Sequence, residues 1–161
     1  MTAKAPPTLY EGQVKDEWID EFGHMNMSRY VEACDYATYA FWEMMNAPKD
    51  LKARDGAEYA VVEAHLNYLS ELRRGDPIAV TTQLLAADGK RFQLFHCLTN
   101  RESGELVATN EVMALGFNLK TRKLMAFHPE VLARIKGVLA EQATLPRPEN
   151  AGRAIGLRTK G

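Results

Sequence analysis

A short loop directly before a long helical segment concentrates the residues that can do chemistry. The loop runs from Asp20 to Asn26 (DEFGHMN). The Asp20 carboxylate can act as a general base toward water or attack a carbonyl carbon directly. The first N–H groups of a helix, here those near Met25 to Ser28, have no intrahelical acceptor and can bind a developing oxyanion. Gly23 lacks a Cβ, which lets the backbone approach a substrate closely.

Each of the loop residues also has an ordinary structural interpretation. Asp20 is a common turn residue, and His24 can hold the loop by hydrogen bonding as readily as it can contact a substrate. Asn26 fits the N-cap of the following helix better than a catalytic role.

Glu63 is a carboxylate in an otherwise apolar strand segment. It lies either on a partly exposed strand face or on the face toward the helix or a second subunit, where it can orient water or substrate. Under a period of two, His65 and Asn67 share the face of Glu63 and the same two interpretations. Glu111 in the last strand is a weaker candidate.

The elements that must position these residues can be read from periodicity and turn signals. A long segment without Gly or Pro predicts a helix over Met27–Met45. Short turns, among them Asp88-Gly89, separate the later strand segments. We predict strands at Tyr10–Trp18, Glu58–Leu72, Ile78–Ala87, Lys90–Asn100 and Glu105–Leu119, and a second helix at Pro129–Glu141.

Consecutive strands joined by short turns indicate an antiparallel sheet. The first helix is apolar nearly all round, which is typical of a helix buried on most sides. An α+β fold, with about five strands wrapped around one long central helix and a short C-terminal helix, satisfies both patterns. Such a sheet leaves free edges, and pairing with a second copy of the chain would cover one of them.

Length and composition limit the class of protein. The 161 residues carry 20 Lys and Arg against 21 Asp and Glu. We expect one domain over residues 1–144 and a surface tail or disordered end over 145–161. A net charge of -1 argues against a nucleic-acid partner. The chain shows no secretory h-region and no run of about 18 apolar residues, so we expect a cytoplasmic protein with no membrane partner.

The sequence predicts neither a metal nor another cofactor. The four histidines lack metal-ligand spacing, and no phosphate loop, dinucleotide fingerprint or serine-hydrolase elbow occurs. Cys34 and Cys97 have no Cys-x-x-Cys spacing and are expected to be free thiols.

The loop motif resembles a known enzyme family. Asp-x-x-Gly-His-x-Asn followed by Tyr30 is similar to the signature of hotdog-fold acyl-CoA thioesterases of the 4-hydroxybenzoyl-CoA thioesterase group. The resemblance extends to Val62-Glu63-Ala64-His65 and Arg74-Gly75-Asp76, and the run from Glu17 to Tyr30 looks closest to betainyl-CoA thioesterases, which accompany carnitine breakdown. Phe22 stands where related sequences often carry Asn.

This resemblance implies hydrolysis of a small acyl-CoA by a homodimer or a dimer of dimers. It implies that Asp20 acts as base or nucleophile, that helix-end N–H groups hold the oxyanion, and that Glu63 assists. The expected catalytic residues are Asp20, Gly23, His24 and Glu63. The expected substrate-binding residues are Trp18, Phe22, Asn26, Met27, Tyr30, His65, Arg74 and Arg91.

Several of these assignments have alternatives. Trp18 and Phe22 either line an acyl pocket, where aromatic rings suit a trimethylammonium group, or pack in the core. The arginines at the two turns either contact the phosphates of coenzyme A or lie solvated at the surface. A hydratase or dehydratase on the same scaffold, or an acyl-CoA-binding module without activity, is the alternative function.

Overall fold

In residues 5–46 and 53–157, which the computed structural model describes, the chain forms six strands and two α-helices. A short 3-10 turn at Asp16–Trp18 and the first helix, α1, follow the first strand. The second helix, α2, follows the last strand. The bounds are β1 Thr8–Gln13, α1 Met27–Met45, β2 Ala57–Tyr68, β3 Pro77–Ala87, β4 Arg91–Asn100, β5 Leu106–Asn118, β6 Lys123–Leu124 and α2 Pro129–Gln142.

The strands form one antiparallel sheet in the order β1-β3-β4-β5-β2, with β6 paired to β5. One face of this sheet packs against α1. Ala33, Cys34 and Ala37 of α1 contribute to a buried cluster at the first half of the helix. Phe41 and Trp42 contribute to a second cluster, which α2 completes. This α+β arrangement of a sheet around one long helix confirms the predicted hotdog architecture.

The predicted first strand, Tyr10–Trp18, is wrong in its second half. β1 ends at Gln13, opposite Pro77, where β3 begins. Beyond that point β1 has no strand partner, and the chain turns instead. The Trp18 N–H donates to the carbonyl of Lys15 at 3.0 Å, which closes the 3-10 turn.

β2 is shorter than the predicted Glu58–Leu72 and contains a β-bulge. Val61 pairs with Ala114, but Glu63 already pairs with Met113, so Val62 is an extra residue. A bulge shifts the alternation of side chains between the two faces. An unbroken period of two over the predicted strand would place Tyr59, Val61, Glu63 and His65 on one face, and the bulge shows that this is wrong.

The odd-numbered side chains of β2 lie on one face of the sheet before the bulge and on the other face after it. Before the bulge, Tyr59 packs against Trp42 of α1, with ring centroids 5.5 Å apart. After the bulge, Glu63 lies opposite Met113, whose neighbours Val112 and Ala114 face the core. Glu63 and His65 consequently point to the outer face of the sheet, away from α1.

α1 is less buried in the single chain than its apolar sequence predicts. The sheet covers only one side of the helix, and five large apolar side chains remain exposed. These are Met27, Val31, Tyr36, Tyr39 and Met44. No helix in the described ranges combines the length and the apolar character needed to cross a membrane.

The segment after α2 runs over the outer face of the sheet. Near its start, the carbonyl of Pro146 accepts a hydrogen bond from Nε2 of Gln83 in β3 at 3.3 Å. Farther along, the Gly152 N–H donates to Oε2 of Glu111 at 2.7 Å. Residues 145–157 therefore contact β3 and β5, whereas residues 158–161 of the predicted tail lie outside the described residues.

His96 links α1 to two strands inside the core. Its Nε2 lies 2.9 Å from Oγ1 of Thr38, and its Nδ1 lies 2.9 Å from Oγ1 of Thr82. Because the Thr38 hydroxyl already donates to the carbonyl of Cys34, it can only accept from His96. This fixes the neutral imidazole with its proton on Nε2. Burial lowers the pKa of His96 to about 3.

His96 should make the fold sensitive to acid. The unfolded chain binds a proton at His96 below about pH 6.5, whereas the folded chain does so only near pH 3. Stability contributed by the neutral imidazole is thus present above pH 6.5 and is lost as the pH falls toward 3. Because of this residue, we expect the free energy of unfolding to fall by about 1.4 kcal/mol for each unit of decrease in pH within that window.

Urea titrations between pH 7.5 and pH 4 measure this slope. His96→Gln should reduce it, whereas the matched change of the exposed His128 to Gln should leave it unaltered. Equal slopes in wild type and His96→Gln would refute the assignment.

Candidate active site

The loop before α1 is a tight turn organised by Asp20. Its Oδ1 accepts the Phe22 N–H at 2.9 Å, and its carbonyl accepts the Gly23 N–H at 3.1 Å. Gly23 has a φ of +83°, and a Cβ there would meet no atom within 4 Å. The turn therefore favours glycine because its backbone is left-handed at this position, and not because a side chain would clash with a neighbour.

Backbone hydrogen bonds fasten this loop on both sides. Ile19 and Met25 form an isolated antiparallel bridge. The Met25 N–H donates to the carbonyl of Leu72 at 2.8 Å, and the Asn26 N–H donates to the carbonyl of Trp18 at 2.8 Å. The entry into α1 is thereby held against the connection between β2 and β3.

Within the described residues, the first turn of α1 leaves the N–H group of Met27 without an acceptor. Oδ1 of Asn26 accepts both the backbone N–H of Ser28 at 2.9 Å and its hydroxyl at 2.7 Å, which confirms the N-cap interpretation. The N–H groups of Met25, Asn26 and Ser28 are thus all engaged. Among these first donors, only the Met27 N–H has no acceptor in the described chain.

A cavity of about 490 Å³ opens where the loop, the start of α1 and the end of β2 meet. It brings together five of the residues predicted from the sequence: Asp20, Phe22, His24, Met27 and Tyr30. It adds four consecutive residues that lie at the end of β2 and just beyond it, together with Met25. The full lining is Asp20, Phe22, His24, Met25, Met27, Tyr30, Tyr68, Leu69, Ser70 and Glu71.

His24 faces a carboxylate across this cavity. Its Nε2 lies 2.9 Å from Oε2 of Glu71. The other carboxylate oxygen of Glu71 accepts from Nη2 of Arg73 at 2.9 Å. His24 consequently ties the loop to the β2–β3 connection and also lines the cavity, so both interpretations of this residue match its position.

Tyr30 joins α1 to the same connection from inside. The side chain is buried, and its hydroxyl donates to the Ser70 carbonyl at 3.3 Å while accepting the Leu72 N–H at 3.1 Å. Burial raises the pKa of Tyr30, so the phenol stays protonated. The rings of Tyr30 and Tyr68 pack edge to face at 5.3 Å, and the Tyr68 hydroxyl donates to the Met27 carbonyl at 3.2 Å.

Three other predicted residues lie elsewhere. Trp18 is 1% exposed and packs in the core. Arg74 pairs with Asp16 at 3.1 Å on the surface. Arg91 pairs with Asp88 in the β3–β4 turn, at the opposite end of the sheet from the β2–β3 connection.

Glu63 and His65 line a second cavity, of about 550 Å³, on the outer face of the sheet. The segment from Gly152 to Ile155 covers one side of this cavity. Glu111, which pairs with His65 in the sheet and accepts the Gly152 N–H, also lines it. Of the positions considered for Glu63, the exposed strand face matches the structure, and the face toward the helix does not, because the bulge at Val62 turns this part of β2 outward. A position beside a second subunit stays a prediction. Among the described residues, no group of three or more His, Cys, Asp or Glu could hold a metal ion.

Sequence reasoning missed Tyr68 and Glu71. Both fall at the end of a segment predicted to be one continuous strand, and nothing in their spacing connects them to the loop. The relevant signal is the end of β2 at Tyr68, which returns the chain to the N-terminus of α1. That return is set by the length of the sheet rather than by a local motif.

The chain is similar to known thioesterases. The family model of the thioesterase-like superfamily matches residues 14–135. A betainyl-CoA thioesterase of Pseudomonas aeruginosa is 36% identical over 150 residues, which are 93% of this chain and 94% of that protein. An L-carnitine dehydrogenase/betainyl-CoA thioesterase of Ruegeria pomeroyi is 39% identical over 139 residues, which are 86% of this chain but 28% of that protein.

A solved structure shows the same architecture. It is a Staphylococcus aureus protein in complex with CoA, 31% identical to this chain, with a TM-score of 0.84. The match covers 98% of this chain and 100% of that one.

The Tyr30 hydroxyl should be needed to hold the site together. In Tyr30→Phe the buried Leu72 N–H loses its acceptor, which should lower the free energy of unfolding by about 1–3 kcal/mol. Chemical denaturation measures the loss, with the exposed Tyr39→Phe as the matched control. Unchanged stability in Tyr30→Phe would show that the hydroxyl does not fasten the connection.

Proposed function

The chain belongs to the thioesterase-like superfamily and is a thioester hydrolase, and we propose that its substrate is a small acyl-CoA, specifically betainyl-CoA. One observation carries the proposal for the site: Asp20 and Met27 line the same cavity at the start of α1, and the Met27 N–H has no acceptor in the described chain. Two relatives named for betainyl-CoA support the choice of acyl group.

Asp20 supplies the carboxylate. One oxygen, Oδ1, is held by the Phe22 N–H, which orients the group and leaves Oδ2 for chemistry. As a general base, Asp20 removes a proton from water while the water oxygen attacks the thioester carbonyl carbon. The tetrahedral intermediate then collapses, the C–S bond breaks, and the CoA thiolate leaves and takes up a proton. As a nucleophile, Oδ2 of Asp20 attacks the carbonyl carbon, the C–S bond breaks and the CoA thiolate leaves and takes up a proton. Water then hydrolyses the mixed anhydride, which releases the acid and restores the Asp20 carboxylate.

Met27 supplies the oxyanion donor. Its N–H is the one that the first turn leaves without an acceptor, and it lies at the positive end of a helix of 19 residues. A donor of this kind lowers a barrier by about 2.7–4 kcal/mol in mutational tests. Because it is a backbone group, side-chain replacement does not remove it, and Asp20 is the residue to test.

The remaining cavity residues bind and position the substrate. Phe22 is 75% exposed at the rim and offers an apolar face to the acyl group or the pantetheine arm. Gly23 and His24 keep the loop in place, and Tyr30 supports it from the core. Arg74 and Arg91 are exposed, and we propose that they contact the phosphates of CoA. A phosphate can replace the carboxylate partner of each guanidinium group because it offers the same two-point hydrogen bonding.

We propose that two copies of the chain pair along β2. This strand of 12 residues has β5 on one side and no strand on the other within the described ranges. Val61 and Val62 are exposed along it, as are Met27, Val31 and Tyr39 of α1. Long apolar edges of this kind are normally covered. A homodimer, or a dimer of such dimers, would cover this edge and place Glu63 of each copy near the interface.

Replacement of Asp20 tests the catalytic proposal. In Asp20→Asn the rate of CoA release from betainyl-CoA should fall by about 10²–10⁴-fold, because the base or nucleophile is lost. Glu17→Gln, which removes an exposed carboxylate from the preceding turn, should retain activity. Full activity in Asp20→Asn would eliminate the mechanism, and a preference for uncharged long-chain acyl-CoAs would eliminate the proposed substrate.

A charge on the free edge tests the dimer. Val62→Lys should weaken self-association by at least about tenfold, since a buried lysine at an apolar edge is costly. Sedimentation velocity over a range of concentrations measures it. Leu124→Lys on β6, away from the β2 edge, is the control. Unchanged association in Val62→Lys would place the interface elsewhere.

A further inference from the structure

We propose that Glu71 is the residue by which this site selects acyl groups that carry a fixed positive charge. The inference rests on the proposed function, because it concerns the acyl group bound in the Asp20 cavity. It adds a specificity-determining residue, which lies outside the loop motif and does not act on the thioester itself.

Acidic side chains outnumber basic ones in the described lining of the cavity. Asp20 and Glu71 are carboxylates, and the described lining contains neither Lys nor Arg. Among the described residues, His24 is the one basic side chain that lines the cavity. A cationic acyl group would therefore enter a site of negative potential, whereas a neutral group of the same shape would gain nothing from it.

Glu71 is held in a fixed position at the cavity. His24 Nε2 contacts Oε2 at 2.9 Å, and Arg73 Nη2 donates to Oε1 at 2.9 Å. The two partners orient the carboxylate from both sides, which avoids the entropy of ordering it when substrate binds. Arg73 is largely exposed and does not line the cavity, but its charge offsets part of that of Glu71.

The dimensions of a betainyl group fit this assignment. Its quaternary nitrogen is two bonds from the carbonyl carbon, so a carbonyl held between Asp20 and the Met27 N–H leaves the nitrogen inside the same cavity. A trimethylammonium group has no N–H and cannot donate a hydrogen bond. Carboxylate charge and aromatic faces are what recognise it, and Tyr68, 45% exposed, provides such a face beside Glu71.

The size of the effect is limited by solvent. The Glu71 side chain is 48% exposed, so its field is screened and its contribution is that of a partly exposed ion pair. We expect Glu71 to account for about a tenfold preference for the cationic acyl group, which corresponds to about 1.4 kcal/mol.

Two isosteric substrates isolate the charge. Betainyl-CoA and 3,3-dimethylbutanoyl-CoA have the same shape. They differ only in the quaternary atom of the acyl group, which is a positively charged nitrogen in the first and a neutral carbon in the second. The ratio of their kcat/KM values in each variant, divided by the wild-type ratio, cancels intrinsic reactivity and all contacts with CoA. Glu71→Gln should lower this ratio about tenfold.

Arg73→Gln supplies a change of opposite sign. Removal of this positive charge frees the Glu71 carboxylate, so the ratio should rise. A role of the Glu71–Arg73 pair in folding alone would affect both substrates equally and would not give ratios that move in opposite directions. Glu141→Gln, which removes an exposed carboxylate from α2, should leave the ratio at the wild-type value.

The outcomes separate this inference from the proposed function. Equal loss on both substrates in Glu71→Gln, or an unchanged ratio in both variants, overturns the role of Glu71 while wild-type hydrolysis of betainyl-CoA still stands. A wild type that does not hydrolyse betainyl-CoA overturns the proposed substrate, and the inference falls with it.

Discussion

The N-terminus of α1 presents more backbone N–H groups than a helix can satisfy by itself, and the site is built by the way the chain satisfies them. Asn26 caps Ser28, the Trp18 carbonyl takes the Asn26 N–H, and the Leu72 carbonyl takes that of Met25. Each of these bonds draws another segment toward the helix end. The Met27 N–H remains, beside the cavity that Asp20 lines.

The length of the sheet brings residues that are far apart in sequence together at the start of α1. β2 must end where it does for residues 69–72 to reach the loop, and the Tyr30 hydroxyl holds two of those residues from below. The same return brings Tyr68 and Glu71 to the cavity. The buried link of His96 to Thr38 and Thr82 ties the middle of α1 to the strands, so the helix cannot slide along the sheet without breaking it.

Features with local causes could be predicted from the sequence. The bounds of α1 match, because Asn26 caps its start and no Gly or Pro interrupts it, and the three later strands are correct to within about one residue because short turns delimit them. The loop motif located Asp20 and His24. The bulge at Val62 could not be predicted, since an extra residue in a strand leaves the apolar pattern almost unchanged. It places Glu63 on the face opposite that of Tyr59 and Val61. Glu71 was missed because its proximity to His24 arises from the path of β2, across 47 positions of sequence.

The resemblance and the structure therefore contribute different things. The motif identified a carboxylate and a helix end, while the geometry showed which N–H group is free and which residues share the cavity. Glu63 and His65, predicted with the same motif, occupy a different cavity on the outer face. In the single chain the two groups of residues lie on opposite sides of the sheet.

A crystal structure with a betainyl-CoA analogue, in which a methylene group replaces the sulfur next to the carbonyl, tests the central claim most directly. The analogue's carbonyl oxygen should lie within hydrogen-bond distance of the Met27 N–H, with the Asp20 carboxylate beside the carbonyl carbon. A carbonyl bound in the outer-face cavity next to Glu63, remote from the start of α1, would contradict it.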